Sequence, residues 1–244
     1  MNINRIDLFS PHNACNILDF RPLTPEEAAE RPWNPVERIH GIKDKLVKSI
    51  INPIEAVEST IDGEYLKHIE EYVKDACASS LASWRKSMPS KTPRALVVRR
   101  NAYGRRDDES VRIEIENFGI LPPSGQIVYH AGLLPQDNVI KLDRPLSTSL
   151  SPVVAWLDAL RNLPKSAAAL LAVYVLTVSN PTTKVFVYDH KASNLGHELE
   201  VLFNTGAVIG NQCVIREIRE NLTVNPITGD QREFVIRIIS ATIS

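Results

Sequence analysis

The spacing of apolar residues changes from a helical period to a strand period along this chain, and that change constrains the fold more than any other feature. Residues 36–51 and 62–85 carry apolar side chains three or four positions apart, which predicts two helices. Beyond residue 95, apolar and polar residues mostly alternate, which predicts strands. These strands are predicted at residues 95–100, 111–116, 126–130, 171–179, 184–188, 197–203, 213–220 and 233–239. The pattern therefore predicts an α+β fold, with N-terminal helices followed by a mixed or antiparallel β-sandwich core.

Prolines are concentrated near the N-terminus, where six of the 16 lie within the first 53 residues. Proline lacks an N–H group and restricts the residue before it, so this region is predicted to begin with an extended arm. One helical turn is predicted within the arm at Pro25–Glu30, capped by Thr24. The predicted division is an arm at residues 1–35 and a single domain at 36–244, with a helical part at 36–88 and a β-rich core at 95–244.

The charge balance excludes partners that bind through a strong global field. The chain has 28 lysines and arginines against 29 acidic residues, which gives a net charge of −1 at pH 7. We therefore expect no general attraction to nucleic acid or to an anionic membrane surface. The longest apolar stretch, residues 167–178, is too short to span a bilayer. The expectation is a monomer whose partners bind at a local site.

The three cysteines, Cys15, Cys77 and Cys213, are widely spaced and form no CxxC pair. Neither a disulfide framework nor a cysteine zinc site fits this arrangement, and the histidines form no HxxxH or HExxH pattern. The N-terminal residues also lack the basic and apolar regions of a Sec signal peptide. The sequence therefore predicts no metal site and a reducing compartment. A protein injected into a host cell without a signal peptide has the same features.

Two glutamates stand two positions apart in the predicted strand at residues 197–203, which has the sequence HELEVLF. Alternate side chains of a strand share a face, so Glu198 and Glu200 are expected to point the same way. Two carboxylates this close are expected to raise the pKa of one of them, so that the pair titrates as a unit. The alternative interpretation is a strand with a solvated acidic face.

Four hydroxyl side chains lie just before a predicted helix at residues 151–162. Ser151 is a suitable N-cap, and Pro152 occupies the first helical position, where a missing N–H group is tolerated. The free N–H groups and partial positive charge at this helix end suit a phosphate or a ribose. The other three hydroxyls belong to Ser147, Thr148 and Ser149. The alternative interpretation is that all four only form a turn and a cap.

An aromatic residue and a histidine end the predicted strand at residues 126–130. Tyr129 and His130 are followed closely by Gly132, where the backbone can approach a ligand. The alternative for a single histidine at a strand end is a structural role.

Taken in this order, the three motifs resemble those of the mono-ADP-ribosyltransferase family of bacterial toxins and effectors. In that family an aromatic–Arg–Gly strand end is followed by Ser-Thr-Ser and then by Glu-x-Glu-Val-Leu. Here Ser147-Thr148-Ser149 continues as LSP, and Glu198-x-Glu200 continues as VLF and then NTGAVI. The resemblance covers about residues 95 to 239 and implies the family's fold. It also implies an enzyme that uses NAD as a substrate without a metal; injected effectors of plant-pathogenic bacteria include members of this family.

The resemblance also implies roles for single residues. Glu200 would stabilise the charge that develops on the ribose, and Glu198 would orient and help deprotonate the acceptor. A glutamate at position 198 implies that the acceptor is an arginine of a host protein. The implied NAD-binding residues are Ser147, which would hold Glu200 or the nicotinamide ribose, Thr148 and Ser149, which would support the strand, and Tyr129 and His130, which would contact the adenylate half.

His130 stands where the family has the arginine that holds the NAD phosphates. A histidine that is mostly neutral at pH 7 lacks the bidentate guanidinium group. Arg99 or Arg100, at the end of a predicted strand, is therefore a candidate for the missing charge, with an ordinary surface position as the alternative.

Two functions remain open at this stage. The first is an active arginine-specific ADP-ribosyltransferase, and the second is a pseudoenzyme of the same fold that acts by binding a host protein. A variant of both hypotheses places the N-terminal arm in the cleft as a pseudosubstrate. The arm carries Arg5, Arg21 and Arg31.

Overall fold

The computed structural model describes residues 3–30, 37, 41–63, 65–101, 107–135, 137–162, 169–189, 199–225 and 230–244. Its helices are α1 (Pro25–Glu30), α2 (Pro53–Ile61), α3 (Leu66–Arg85), α4 (Arg94–Asn101), α5 (Asp108–Phe118) and α6 (Pro152–Arg161). Its strands are β1 (Cys15–Arg21), β2 (Ile42–Ile50), β3 (Ile127–Ala131), β4 (Val139–Lys141), β5 (Leu146–Ser149), β6 (Ala169–Val178), β7 (Val185–Val187), β8 (Glu200–Phe203), β9 (Val208–Asn225) and β10 (Asp230–Ile243). This combination of helices and strands confirms the predicted α+β class.

A large mixed sheet forms the centre of the molecule. Its eight strands are hydrogen-bonded in the order β4-β9-β10-β6-β3-β5-β8-β7. Strands β10 and β6 run parallel, and the other neighbours are antiparallel. Along β6, Val173 and Val175 pack into one apolar cluster, whereas Tyr174 and Leu176 pack into another. Because alternate residues of a strand point to opposite faces, the sheet is covered on both sides.

Several predicted elements match the structure. Helix α3 lies within the predicted 62–85 segment. Helix α6 begins at Pro152, and the Ser151 hydroxyl accepts the Val154 N–H, so the predicted cap is confirmed. The predicted helical turn at Pro25–Glu30 is also confirmed, since the Glu27 N–H donates to the Thr24 hydroxyl and Glu27 accepts from the Thr24 N–H.

The two strands predicted at residues 95–100 and 111–116 are wrong, because both segments are helical. In α5 the buried residues Val111 and Ile115 are four positions apart, a spacing that a six-residue alternating window also contains. The Asp107 carboxylate caps this helix by accepting the Ser110 N–H. Helix α4 is held by a partner distant in sequence, since Glu114 accepts the first N–H groups of α4. The spacing of apolar residues in a short segment gives no information about a cap that another helix provides.

The helix predicted at residues 36–51 is also wrong, because residues 42–50 form β2, which pairs antiparallel with β1. Within β2, Leu46 is exposed and Ile50 is fully buried. The pairing partner lies more than 20 residues upstream, so the local spacing of apolar residues could not reveal it.

The N-terminal segment, which was predicted as an extended arm, packs against the rest of the chain. Ile6, Phe9 and Ile17 are buried in the main apolar cluster, and Phe9 packs on Tyr72 of α3. Buried hydrogen bonds fasten it as well, because the Gln126 side chain accepts the Ile6 N–H at 2.8 Å. The pairing of β1 with β2 further joins the segments on either side of the predicted boundary at residue 35.

The pseudosubstrate hypothesis stays a prediction, although both arm arginines that the structure describes are engaged in ion pairs. Arg5 pairs with Asp7 at 3.3 Å, and Arg21 pairs with Glu27 and Asp44 at 2.7 Å. These ion pairs hold the segment to itself and to β2. Arg31 lies outside the described residues.

Candidate active site

The Ser147-Thr148-Ser149 motif lies on β5, between β3 and β8 of the large sheet. The three hydroxyl side chains have different surroundings. Ser147 is exposed, whereas Thr148 and Ser149 are buried. The Thr148 hydroxyl donates to the Val201 carbonyl at 2.6 Å, and the Ser149 hydroxyl accepts the Ser151 N–H at 3.0 Å. These two bonds fix β5 to β8 and to the start of α6, which leaves Ser147 as the member that faces outward.

Glu200 is the first residue of β8, and its carboxylate meets the Ser147 side chain. The Ser147 hydroxyl donates to Glu200 Oε1 at 2.6 Å, a short bond typical of a hydroxyl with a carboxylate. The Glu200 side chain is only 14% exposed. It is therefore held in a defined position at the rim of the sheet, on the same side as the exposed hydroxyl.

Arg100 brings a positive charge to this carboxylate. Its Nε lies 3.9 Å from Glu200 Oε2, and its guanidinium lies 4.7 Å above the centre of the Tyr188 ring. The Arg100 side chain is 9% exposed, so the ion pair is shielded from water and stronger than a surface pair. Arg100 was one of the two predicted candidates for a charge near the site, although it lies at the end of a helix and not of a strand.

Arg99, the other candidate, is engaged in the packing of two helices. It pairs with Asp108 of α5 at 2.9 Å and donates to the Pro145 carbonyl at 2.8 Å. This second bond connects α4 to the residue just before β5. Arg99 therefore helps to place the strand that carries Ser147.

His130 on β3 lies beside β5, and its Nδ1 is 2.8 Å from the Ser147 carbonyl oxygen. This geometry suits a neutral ring that donates from Nδ1 to the carbonyl. Burial lowers the pKa of His130, while the bond to Ser147 and the nearby Asp158 act in the opposite direction and Arg144 acts with burial. At neutral pH the side chain is uncharged, so it contributes hydrogen bonding and shape but no cation.

Tyr129 is almost completely buried, with 1% of its surface exposed. Its ring packs in the apolar cluster with Trp156, Val173 and Phe234. Burial raises the pKa of its phenol strongly. The residue thus forms part of the floor of the site and does not extend into solvent.

These residues surround a pocket of about 90 Å³ that is open to solvent. This volume is below the roughly 300–1,000 Å³ of typical small-molecule sites, so it can enclose only one part of a dinucleotide. The lining residues are Tyr129, His130, Ala131, Ser147, Thr148, Ser149, Val154, Ala155, Asp158 and Glu200. The structure therefore brings together one glutamate, the three hydroxyl residues, the tyrosine and the histidine that the sequence singled out.

Glu198 lies outside the described residues, so its distance from Glu200 stays a prediction. The strand that was predicted from residue 197 begins at Glu200. Leu199 has a φ of 46°, in the left-handed region that non-glycine residues seldom adopt. Among the described residues, the alternation of the strand is followed from Glu200 onward.

Sequence reasoning missed two charged residues near the pocket. Asp158 lines it from α6, and Arg144, three residues before Ser147, is exposed and close enough to influence His130. Neither belongs to a recognisable motif, but both stand within seven residues of Ser151, the predicted helix cap.

The described residues contain neither a metal-binding cluster nor a membrane-spanning helix. Within them, no three histidine, cysteine or acidic side chains are grouped closely enough to hold a metal ion. In the same part of the chain, no helix is both long and apolar enough to cross a membrane.

Comparisons with known proteins gave weak structural matches to bacterial toxins. No family model matches the sequence, and no curated protein matches it. Vis toxin, an ADP-ribosyltransferase from Vibrio splendidus, is 14% identical, with a TM-score of 0.32 over 78% of this chain and 86% of that one. Plx2a, an ADP-ribosyltransferase toxin from Paenibacillus larvae, is 15% identical, with a TM-score of 0.38 over 70% of this chain and 96% of that one.

The enzymatic component C2-I of the Clostridium botulinum C2 toxin is 14% identical, with a TM-score of 0.28 over 76% of this chain and 46% of that one. TM-scores of this size do not by themselves establish a common fold. The function proposed below therefore depends on the sequence motifs and on the geometry of the pocket.

Proposed function

We propose that this chain is an NAD-dependent mono-ADP-ribosyltransferase that modifies an arginine of a host protein. The observation that carries the proposal is the hydrogen bond from Ser147 to Glu200, made between two motifs that are 53 residues apart in sequence. The bond fixes a carboxylate at the rim of a pocket that also contains His130. A fixed, poorly solvated carboxylate is what a reaction with developing positive charge requires.

NAD would supply the ADP-ribose group and the nicotinamide leaving group. Cleavage of the bond between them passes through an oxocarbenium-like state, as in glycoside hydrolysis. In the proposed role, Glu200 stabilises the positive charge on the ribose, and Ser147 keeps the carboxylate in position. Glu198 is proposed to orient the acceptor and to remove a proton from it.

The pocket residues fit part of this substrate. Ser147, His130 and Glu200 offer hydrogen-bonding groups for a ribose, and the small volume suits one ring and its sugar. The phosphates would lie outside the pocket, where exposed Arg144 is the proposed source of positive charge. Thr148, Ser149 and Tyr129 are buried, so their proposed contribution is to hold β5 and the pocket floor.

The arginine acceptor is proposed from Glu198, the residue that the motif places two positions before Glu200. Arg100 already pairs with the Glu200 carboxylate and stacks on Tyr188. Its proposed contribution is to hold the carboxylate in position, together with Ser147.

The second candidate function is a pseudoenzyme that binds a host protein without using NAD. The neutral state of His130 and the small pocket favour it, since both weaken the binding of a dinucleotide with two phosphates. An active enzyme and a pseudoenzyme differ in a measurable quantity, which is the affinity for NAD.

The test combines calorimetric titration of NAD with transfer of labelled ADP-ribose to an arginine-rich acceptor. The wild-type chain is compared with Glu200→Gln and with Glu71→Gln, which removes the same charge from an exposed position on α3. We expect transfer to fall about 10²- to 10³-fold in Glu200→Gln and to be unchanged in Glu71→Gln.

The outcomes separate the two functions. Binding of NAD together with Glu200-dependent labelling supports the enzyme. If neither the wild-type chain nor His130→Arg binds NAD, the enzyme proposal is rejected and the pseudoenzyme remains.

Action inside a host cell, after signal-peptide-independent secretion as by an injected effector of a plant pathogen, is part of this proposal. The thiols are compatible with a reducing compartment, since all three cysteines are free. Burial raises the pKa of Cys15 to about 11 and that of Cys77 to about 12, which makes both unreactive. The test is expression inside host cells and enrichment of ADP-ribosylated proteins, which should be absent with Glu200→Gln.

A further inference from the structure

Strand β9 has a long outer edge on the side away from the proposed site. Its inner edge pairs with β10 along almost the whole strand. On the outer side, β4 pairs only with residues 208–210. Among the residues that the structure describes, no strand pairs with the rest of that edge. The edge therefore presents backbone N–H and C=O groups in a row, which is a template for another strand.

Charged side chains of both signs flank Ile218 on this edge. Residues 216–220 read Arg-Glu-Ile-Arg-Glu, and the four charged ones are exposed. Such charges protect many edge strands from association. Here, however, the order of charges is self-complementary. Reversing the sequence about Ile218 exchanges each arginine with a glutamate.

We propose that a second copy of this chain pairs with β9 in an antiparallel, two-fold symmetric arrangement centred on Ile218. In that register Arg216 lies opposite Glu220 of the second copy, and Glu217 lies opposite its Arg219. Directly opposite residues of antiparallel strands share a face and interact favourably when their charges differ. All four charges of each strand then face an opposite charge, and the two sheets join into one.

The neighbouring registers do not have this property. The smallest slip that keeps the same hydrogen-bonding groups facing each other is two residues. In one direction it brings Glu217 opposite Glu217 of the second copy, and in the other it brings Arg219 opposite Arg219 of the second copy. Like charges directly opposite each other are destabilising. The sequence thus specifies one register and disfavours the two adjacent ones.

Existing contacts already hold the charged side chains near the faces where they are needed. Glu217 pairs with Arg237 at 3.0 Å, and Arg219 lies 3.9 Å from Glu233. Arg216 reaches Glu58 of α2 at 3.6 Å. Pairing would extend these contacts into networks of alternating charge that cross the two-fold axis.

A break in the β9–β10 register limits the regular stretch. β10 pairs Ile238 with Arg216 and Ile239 with Val214, which leaves Ile215 as a bulge. The five paired residues, 216–220, lie entirely on one side of this bulge. A contact of this length predicts a reversible dimer of micromolar affinity and not an obligate one. It also revises the expectation of a monomer.

The proposed dimer is independent of the pocket and of the proposed function. Four strands, β10, β6, β3 and β5, separate β9 from β8, where Glu200 lies. Variants on β9 therefore test association without altering the candidate active site.

The experiment is sedimentation equilibrium of the full chain from micromolar to millimolar concentration. R216E places a glutamate opposite Glu220 of the second copy, twice per dimer, and should raise the dissociation constant about tenfold. The swapped variant R216E/E220R restores opposite charges in the same register, so its dissociation constant should return towards the wild-type value. Both variants lose the contact with Glu58, which makes the swap a matched control.

Thermal unfolding and circular dichroism establish that both variants are folded, as expected for exposed positions. Higher salt should weaken the wild-type dimer, because exposed charge pairs are screened. Three results would overturn the proposal: a wild-type chain that stays monomeric at all concentrations, an R216E variant that associates like the wild type, or a folded swap variant that does not recover association.

Discussion

Two antiparallel strand pairs of this molecule each have a serine that donates across the strands to a neighbouring side chain. In β1–β2 the Ser49 hydroxyl donates to Asn16 Oδ1 at 2.7 Å, and in β5–β8 the Ser147 hydroxyl donates to Glu200 Oε1 at 2.6 Å. The two bonds have nearly the same length. They differ in that the first acceptor is a neutral, exposed amide and the second is a poorly solvated carboxylate with Arg100 beside it.

The difference shows that a hydrogen bond does not mark a functional site unless its surroundings give it a special energy. The bond in β1–β2 replaces similar bonds to water and contributes little. The bond in β5–β8 restrains a charge that water reaches poorly, as the proposed role of Glu200 requires. The N-terminal region should therefore control stability, and the β5–β8 region should control activity.

The largest expected effect on stability comes from Gln126, which fastens the N-terminal segment to the sheet. Its side chain accepts from the Ile6 N–H at 2.8 Å and donates to the Ile6 carbonyl at 3.2 Å, and both groups are buried. Gln126→Ala leaves both backbone groups without these partners and should lower the free energy of unfolding by about 3 kcal/mol. Urea denaturation measures this value.

Gln231→Ala is the matched control, since that glutamine is exposed on β10, and it should change stability little. NAD affinity and transfer should be unchanged in folded Gln126→Ala. A loss of activity in this variant without a loss of stability would contradict the division between the two regions.

The division also explains which parts of the fold could be predicted. The β6 strand, the α6 helix with its Ser151 cap and the α3 helix have strong local signals, and all three are confirmed. The prediction for residues 42–50 failed because β2 is formed by pairing with β1, which its own apolar pattern does not reveal. The predictions for α4 and α5 failed because, in a six-residue segment, apolar residues spaced two apart cannot be distinguished from apolar residues spaced four apart.

The site could be predicted further than the N-terminal region because its residues belong to motifs. The pairing of β5 with β8 brings the serine motif and Glu200 together, as their order in the chain suggested. The charge next to Glu200 was only partly foreseen, since Arg99 and Arg100 were equal candidates. Which of two adjacent arginines faces the site depends on the rotation of α4, and a wrongly assigned strand gives no information about that rotation.

A smaller effect is expected for Ser147→Ala, and it should fall on activity alone. Loss of a hydrogen bond to a charged acceptor corresponds to about a tenfold lower rate of NAD hydrolysis or transfer. Because Ser147 is proposed to position Glu200, the loss should appear mainly in kcat and only slightly in KM. Ser147→Thr retains a hydroxyl and should recover part of the rate.

Ser49→Ala is the control for this prediction, because it removes from β2 a serine hydroxyl that donates across a strand pair at nearly the same distance. Its rate should equal that of the wild-type chain, and both variants should unfold within about 1 kcal/mol of it. An equally large loss of rate in Ser49→Ala would contradict the claim that the β5–β8 bond controls activity and the β1–β2 bond does not.

The smallest expected effect is the pH dependence that His130 gives to stability. Burial lowers the pKa of His130 in the folded state, with Asp158 opposing and Arg144 adding to the effect. As the pH falls through the unfolded value of about 6.5, the unfolded chain gains a proton that the folded chain resists. Stability contributed by the neutral ring is thus complete above that pH and decreases below it.

The measurement is the free energy of unfolding at pH 7.5 and at pH 5.5 for the wild-type chain and for His130→Asn. Asparagine does not titrate and has an N–H group near the position of Nδ1, so it can still donate to the Ser147 carbonyl. The wild-type chain should lose more stability than the variant on acidification. An equal loss in both chains would show that His130 is protonated as readily in the folded pocket as in the unfolded chain, and the neutral state assigned to its ring beside Glu200 would then be disproved.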